Sequence, residues 1–480
     1  MLDIRRLVRL ILVLVEGLWR LLQEARTFEE LEEGVHHLTQ QLAGQVLGEV
    51  LKGLDERLLR DRERRWEVVG KRTRRLLTRF GEVVVERRLY RDRGTGRSVF
   101  LLDETLGWPA RERWSPGLKR LAVRLATSVS YREAAECLRW LVPGVSKQAV
   151  WALVQKVGAA AQAEAAARRR QFHELGEAPC GRYRAERIRL EADGTLVNLQ
   201  GFKGKKKELK LFTAYEKKAM TGRGRRQLMH RRVWATLADA EPAWEESAVE
   251  VAEQWSMEAL KQIELGGDGA AWIQQGAAYF PGVQTVLHLD RFHLHRALRW
   301  ALGHDEEGYR AVAEGIAERQ WGRIERALTE AQKRVRGGSR QRIEALARYL
   351  RANWAGIRDL SEDERLGVME GLMRHVITKR MKRQNARWSE RGGETMARLR
   401  AAYCNGELEE VARPRSWQRR LQTRPLVGTS PFRPAAAEQI REAAEVWLKV
   451  RMPALTGPHA ARPWVRIMLK ELSQLPSFIA

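Results

Sequence analysis

The sequence predicts an α/β core preceded by a mainly helical, basic region. Three observations carry that prediction. Several runs of alternating or continuous apolar residues between positions 182 and 289 are bounded by turn signals, as strands are. Helical periodicity follows the later runs, so the order is strands first and then strand and helix in alternation. The chain of 480 residues carries a formal net charge of +26 with 44% hydrophobic residues, which is ample for real cores and far more positive than solubility requires.

The N-terminal segment, 1–70, has helical periodicity, with Leu7, Leu10, Leu14 and Leu18 on one face. That face suits a packing helix or a contact with a second copy. Its apolar run, Leu10–Val15, is bracketed by Arg5, Arg6, Arg9, Glu16 and Arg20 and is too short for a membrane span. A cytoplasmic protein with no membrane association is expected. Cys137, Cys180 and Cys404 are far apart and form no C-x-x-C, which argues against a disulfide framework or a cysteine zinc site.

Residues 71–108 read as strands turning at Gly81 and again near Gly94 and Gly96. They are crowded by Lys71, Arg72, Arg74, Arg75, Arg87, Arg88, Arg91 and Arg93. Such a basic ribbon can follow a DNA backbone or can be a solvated sheet face. In 109–180, SYREAAECLRWLVPGVSKQAVWALVQKVG has helix–turn–helix form. Ser130 and Glu133 can make a capping box, Pro143-Gly144 the turn, and Ser146 the cap of a second helix. Lys147, Gln148 and Trp151 would then begin a recognition helix, although two helices joined by a glycine turn are also common in bundles. An Ala-, Arg- and Glu-rich helix over 159–180 and a linker near Gly176 and Pro179 complete this region.

Between 181 and 400, RYRAERIRLEADGTLVNLQ, ELKLFTAYEK and HRRVWATLAD read as three strands. The turns between them hold KGKKK (203–207) and GRGRR (222–226), with Lys205 and Lys206 as candidate DNA contacts. A helix over roughly 243–259, a strand ending at Asp268, a helix, a strand before Asp290 and a further helix follow. Three strands, helix, strand, helix, strand, helix is also the order of the ribonuclease H-like fold. A helical insertion is expected at about 301–362, and a helical tail without evident chemistry at 401–480.

Asp193 in EADGT and Asp268 in GGDGA each end a predicted strand with Asp-Gly, and Glu370 in GVMEG lies on a later predicted helix. Phosphodiester cleavage needs an activated nucleophile and charge neutralisation at the leaving oxygen. Two magnesium ions bridged by carboxylates supply both. If the two strands are neighbours, their ends bring Asp193 and Asp268 together. Asp-Gly is equally the commonest turn signal and a helical Glu is ordinary, so spacing alone leaves a structural role open. In HLDRFHLH, Asp290 and His293 would share a face of a helix beginning there and could serve as neighbours of the site, phosphate contacts, zinc ligands or plain structural residues. On the Glu370 helix, positions 370, 374, 377 and 381 would share a face. Arg374 would then sit one turn beyond the glutamate, with Lys379, Arg380, Lys382 and Arg383 suited to grip a phosphate backbone.

Taken in order over roughly 65–400, FGEVVVERRLYRD, FLLDETLG, SYREAAECL, VSKQAVWALVQKVG, LEADGTLVNLQ, GGDGAAWIQQG, LDRFHLHRAL, YLRANWAGI, GVMEG and KRMKRQNARWSERGGETMARL carry a family resemblance. The chain resembles bacterial insertion-sequence transposases of the ISLre type, the second group of that name. The resemblance implies an Asp-Asp-Glu transposase with a ribonuclease H-like core. Asp193, Asp268 and Glu370 would be the three acids holding two Mg2+ (or Mn2+) ions, and Glu394 in GGETMARL the second candidate for the third acid. Asp290-x-x-His293 looks like the (Cys or Asp)-x-x-His motif of Mutator-like transposases. It further implies binding and cutting of double-stranded transposon ends, joining to target DNA, and a homo-oligomer. The rival expectations are a nuclease or resolvase of the same fold, and a transposase-derived DNA-binding protein without catalysis.

Overall fold

The computed structural model describes residues 4–201, 204–222, 225–357 and 366–413. Expectations placed on 414–480, on 358–362 of the insertion, and on Lys203, Gly224 and the neighbouring Arg223 lie outside these residues. The chain forms two compact units. One comprises residues up to Leu76 together with Phe80–Arg113, and the other comprises Leu77–Arg79 with Trp114–Arg413.

In the first unit, α1 (Ile4–Glu24) packs on α2 (Phe28–Asp61), which starts with a Thr27–Glu30 capping box. The helices approach closely at two glycines. A Cβ on Gly17 would strike the Leu38 side chain, and one on Gly34 would strike Leu21. β1 (Trp66–Thr78), β2 (Gly81–Asp92) and the short β3 (Ser98–Val99) form one sheet in that order, followed by α3 (Leu101–Thr105). Leu51, Leu76, Val83, Val85 and Leu102 make the core of this unit. The segments expected as separate regions, 1–70 and 71–108, thus form one body, because neither two helices nor a small sheet can bury its apolar face alone. The basic ribbon is partly spent on this packing. Arg74 donates to Asp103 at 2.7 Å, Arg87 also pairs with Asp103, and Arg88 pairs with the buried Asp55. Arg72, Arg75 and Arg91 remain exposed.

The second unit begins with α4 (Pro116–Ser128), α5 (Tyr131–Arg139) and α6 (Lys147–His173). The expected capping box is present, with Ser130 accepting from the Glu133 amide and Glu133 accepting from the Ser130 amide. Gly144 has φ +82, which suits the turn, and Ser146 caps α6. α6 runs unbroken from Lys147 to His173, so the helix expected separately from 159 is its continuation and ends before Gly176. One face of it, Val150, Leu153, Val154 and Val157, shares a core with the sheet that follows.

That sheet contains β4 (Arg187–Asn198), β5 (Lys206–Tyr215), β8 (Arg232–Thr236), β9 (Gln262–Gly267) and β10 (Gln284–Leu289) in the order β10-β9-β4-β5-β8. β4, β5 and β8 are antiparallel neighbours, whereas β9 and β10 run parallel to β4. A separate hairpin, β6 (Lys218–Gly222) with β7 (Arg225–Leu228), forms where only a turn was expected. Alternation along β4 separates two cores. Ile188, Leu190 and Ala192 pack with Phe212, Trp234 and Trp244 of α7 (Ala240–Gln254). Val197 and Leu199 pack on the opposite face with α4–α6, with 369–381 and with α14 (Glu390–Asn405). Each large aromatic buried in the first core contributes on the order of 2–3 kcal/mol.

α8 (Ala271–Gln274) follows β9. After β10, α9 (Arg291–Leu302), α10 (Glu306–Ala317), α11 (Trp321–Lys333) and α12 (Gly338–Ala352) enclose a core of their own that includes Leu294, Leu298, Ile324 and Leu346. α9, which precedes the expected insertion at 301–362, shares this core. The chain then returns along the sheet as α13 (Met369–Leu372), a π-helical stretch 373–382, α14 and α15 (Leu408–Val411). No helix of the described residues is long and apolar enough to cross a membrane.

Candidate active site

The site is built by strand register. β4 and β9 pair in parallel up to Glu191 opposite Gly266, and continuing that register by two residues sets Asp193 level with Asp268. β9 and β10 pair up to Gly267 opposite Leu289, so the next residues, Asp268 and Asp290, are level as well. The Asp290 amide donates to the Gly267 carbonyl at 2.8 Å, extending the ladder to that point. Three aspartates from three adjacent strands thus form one row.

Asp193 does not end its strand, contrary to expectation. β4 continues through Gly194 to Asn198 because β5 keeps pairing with it there, with Gly194 opposite Lys210. Gly194 makes no turn; the Glu208 carboxylate lies over it, 2.3 Å from where a Cβ would stand. Gly269, after Asp268, does make a turn. Its φ is +86, and a Cβ would collide with the Asn353 side chain. Asn353 is itself held by Gln274, which donates to it at 2.8 Å, and it donates onward to the Tyr349 carbonyl at 2.9 Å. Asp268 accepts from the Ala270 amide at 2.9 Å, and its carbonyl accepts from the Tyr349 hydroxyl at 2.8 Å. Asp290 is the N-cap of α9, accepting from the Phe292 amide at 2.7 Å, with His293 in the first turn.

Asp193 feels the other two aspartates. Burial pushes the Asp193 carboxyl above the ordinary aspartate range, and neighbouring Asp268 and Asp290 push it the same way. His293 and the Gly194 amide pull it down. Asp193 is only 9% exposed, so these charges act through little water. Among the described residues, no three His, Cys, Asp or Glu side chains already form a metal cage. The donor set is hard oxygen, which suits magnesium, an ion that keeps several waters and needs only one or two protein carboxylates.

Glu370 is exposed at the start of the segment that returns over the Asp193 face. The residue that anchors the start of that segment to β4, missed in the sequence, is Glu191. Its buried carboxylate accepts from the Tyr215 hydroxyl at 2.6 Å and from the amides of Gly367 at 2.7 Å and Val368 at 3.0 Å. Burial raises the Glu191 carboxyl, and those three donors oppose that. The period-2 spacing of Glu191 and Asp193 is the signal that could have found it, because both must face the same side of β4. Glu394, the second candidate for the third acid, has its carboxylate engaged at the other edge of the sheet. Its carboxylate accepts from Thr236, the Leu237 amide and Arg398, which ties α14 to the edge strand β8.

The expected shared face of 370, 374, 377 and 381 does not form. The stretch 373–382 is π-helical, and its wider turn buries Ile377 and Met381 while Glu370 and Arg374 stay exposed. Arg380 is not a free cation for DNA. It donates to the Ala126 carbonyl at 2.8 Å and lies over the rings of Tyr131 and Trp388, and burial lowers its pKa. Lys382 donates to Thr195 at 2.8 Å, two residues beyond Asp193 on the same strand face, so its charge does border the row. Arg383, Lys205, Lys206, Lys147, Gln148 and Trp151 are exposed.

Comparison with known proteins gives the family. The model of the uncharacterised protein family UPF0236 matches residues 21–419. The chain belongs to that family. A UPF0236 protein of Caldanaerobacter subterraneus subsp. tengcongensis, whose name joins eleven locus designations, is 29% identical over 82% of this chain and 81% of its own length. Another from the same organism, under four designations, is 27% identical over 83% of this chain and 82% of its own length. A UPF0236 protein of Streptococcus gallolyticus is 25% identical over 83% and 88%.

Proposed function

We propose that this UPF0236 protein is a DNA transposase of the ISLre type, with Asp193, Asp268 and Glu370 as its acids. The observation that carries the proposal is the row of Asp193, Asp268 and Asp290 on three parallel strands, in which Asp193 is electrostatically strained. A sheet in the order β10-β9-β4-β5-β8, antiparallel on one side of β4 and parallel on the other, is the arrangement a ribonuclease H-like core requires and supports the same reading. So does the net charge of +26, which draws the chain to phosphates. One relative's name joining eleven loci of a single genome is the pattern a self-copying element leaves.

In this reading Asp193 and Asp268, with Glu370 from the returning segment, would hold magnesium or manganese, which supplies activation of the attacking oxygen and neutralises the leaving one. The protein's own part is placement. Glu191 fixes the start of the Glu370 segment on β4, Asn353 and Tyr349 fix the turn at Asp268, and Lys382 and Arg383 offer charge to the DNA backbone. The exposed start of α6, with Lys147, Gln148 and Trp151, and the exposed Lys205 and Lys206 are the proposed contacts to transposon ends. Two ends must be held together, so the active form is a homo-oligomer, and it works in the cytoplasm where bacterial DNA lies.

The test is an assay of supercoiled plasmid carrying the element's ends, with magnesium. The parent is expected to nick and join. Asp193→Ala, Asp268→Ala and Glu370→Ala are each expected to lose at least a hundredfold in rate while still binding DNA. Full activity in Asp193→Ala or Asp268→Ala overturns the site. Nicking without joined products reassigns the protein to a nuclease, and binding without any cleavage to a DNA-binding protein.

A further inference from the structure

α9 begins beside Asp290 and leads away from the aspartate row. Its buried face is Leu294, Leu298, Ala301 and Leu302. Positions 292, 296 and 300 are spaced by four and lie on another face. Phe292 is 49% exposed and Trp300 55% exposed, so neither ring is needed by the helical core. The Arg296 guanidinium lies 6.0 Å from the Phe292 ring centre, and Arg342 from α12 lies 5.9 Å from the Trp300 ring centre. His295, Arg296 and Arg299 are exposed on the same helix. The result is a stripe of ring, cation, ring, cation about 12 Å long at 1.5 Å per residue, beginning two residues from the row.

Large exposed rings interleaved with guanidinium groups match one kind of ligand well. The rings offer stacking surfaces to bases, and the cations meet the phosphates between them. A duplex keeps its base faces covered, whereas an unpaired strand presents them. We infer that the Phe292–Arg296–Trp300 stripe, with Arg342, holds unpaired nucleotides of the DNA strand leaving the aspartate row. The inference rests on the proposed transposase function and adds that the strand is opened beside the site. It also explains why a Phe and a Trp are kept in water on a helix whose other face is well packed.

The test measures binding of the full chain, in a chelating buffer that prevents cutting, to a mixed-sequence labelled duplex with and without a single-stranded tail. The tail is expected to tighten binding by roughly tenfold or more. Phe292→Ala and Trp300→Ala should each remove most of that gain and leave blunt-duplex affinity and melting temperature unchanged, while Trp300→Phe should retain it. A tail that gives no gain, or a gain that survives both alanine substitutions, overturns the stripe and leaves the transposase proposal standing. Failure to bind either DNA overturns both.

Discussion

At Asp193, chemistry and stability pull in opposite directions. Its carboxyl is raised by burial and by Asp268 and Asp290, so the native state holds its proton to higher pH than the unfolded chain does. Native stability from this group is therefore lost as pH rises from the ordinary aspartate range through the raised value. At neutral pH the ionised side chain weakens the metal-free fold. Asp193→Asn is expected to raise the melting temperature of the metal-free protein by about 2 °C and to flatten its pH dependence on the acid side. Magnesium should raise the melting temperature of the parent and not of the variant. A lower melting temperature for the metal-free variant would instead make Asp193 a structural hydrogen-bonding group. Asp193 and Asp268 could be picked out because each begins an Asp-Gly pair after an apolar run. Glu191 could not, since its partners Tyr215, Gly367 and Val368 are brought to it only by tertiary structure.

At the scale of elements, local signals and long-range packing separate cleanly. The α5 cap was readable because Ser130 and Glu133 lie within one turn of each other. Ser130→Ala should cost about 1 kcal/mol in chemical denaturation of the second unit. Glu133 is held below the ordinary glutamate range by the Ser130 amide, so its contribution is complete above that range and fades as pH falls through its lowered value. Glu133→Gln should abolish that acid-side loss, which a pH series of melting curves would show. The Glu370 segment was misjudged for the opposite reason. Its apolar spacing fits an α-helix, yet Arg400 reaches the carbonyls of Val376 and His375, and Arg380 that of Ala126, and these long-range donors accompany a π-helical path. The succession of the sheet's strands along the chain was readable from the alternation of runs. The extension of β4 past Asp193 was not, since it depends on pairing with β5.

Across the whole molecule, apolar exposure is uneven. Nearly half of the exposed large apolar side chains among the described residues lie on α1 and α2, including Ile11, Leu12, Leu18, Leu22, Val35 and Val50. The two helices already pack on each other through Gly17 and Gly34, so this surplus lies on their outer faces. Monomers rarely leave so much apolar surface in water. The proposed homo-oligomer is expected to use it. Light scattering should give at least twice the mass of 55.2 kDa for the parent and close to that mass for Leu12→Glu/Leu22→Glu. An unchanged mass in the double variant would place the oligomer contact elsewhere.

The aspartate row also sets which changes of length the gene can tolerate. Side chains alternate along a strand, so losing one residue inside β9 or β10 would swing Asp268 or Asp290 out of level with Asp193. The segment from α10 to α12 has its own core and carries no member of the row, so insertions in its connecting loops leave the register untouched. Length variation among working copies should therefore concentrate in those loops and be absent from 262–268 and 284–290.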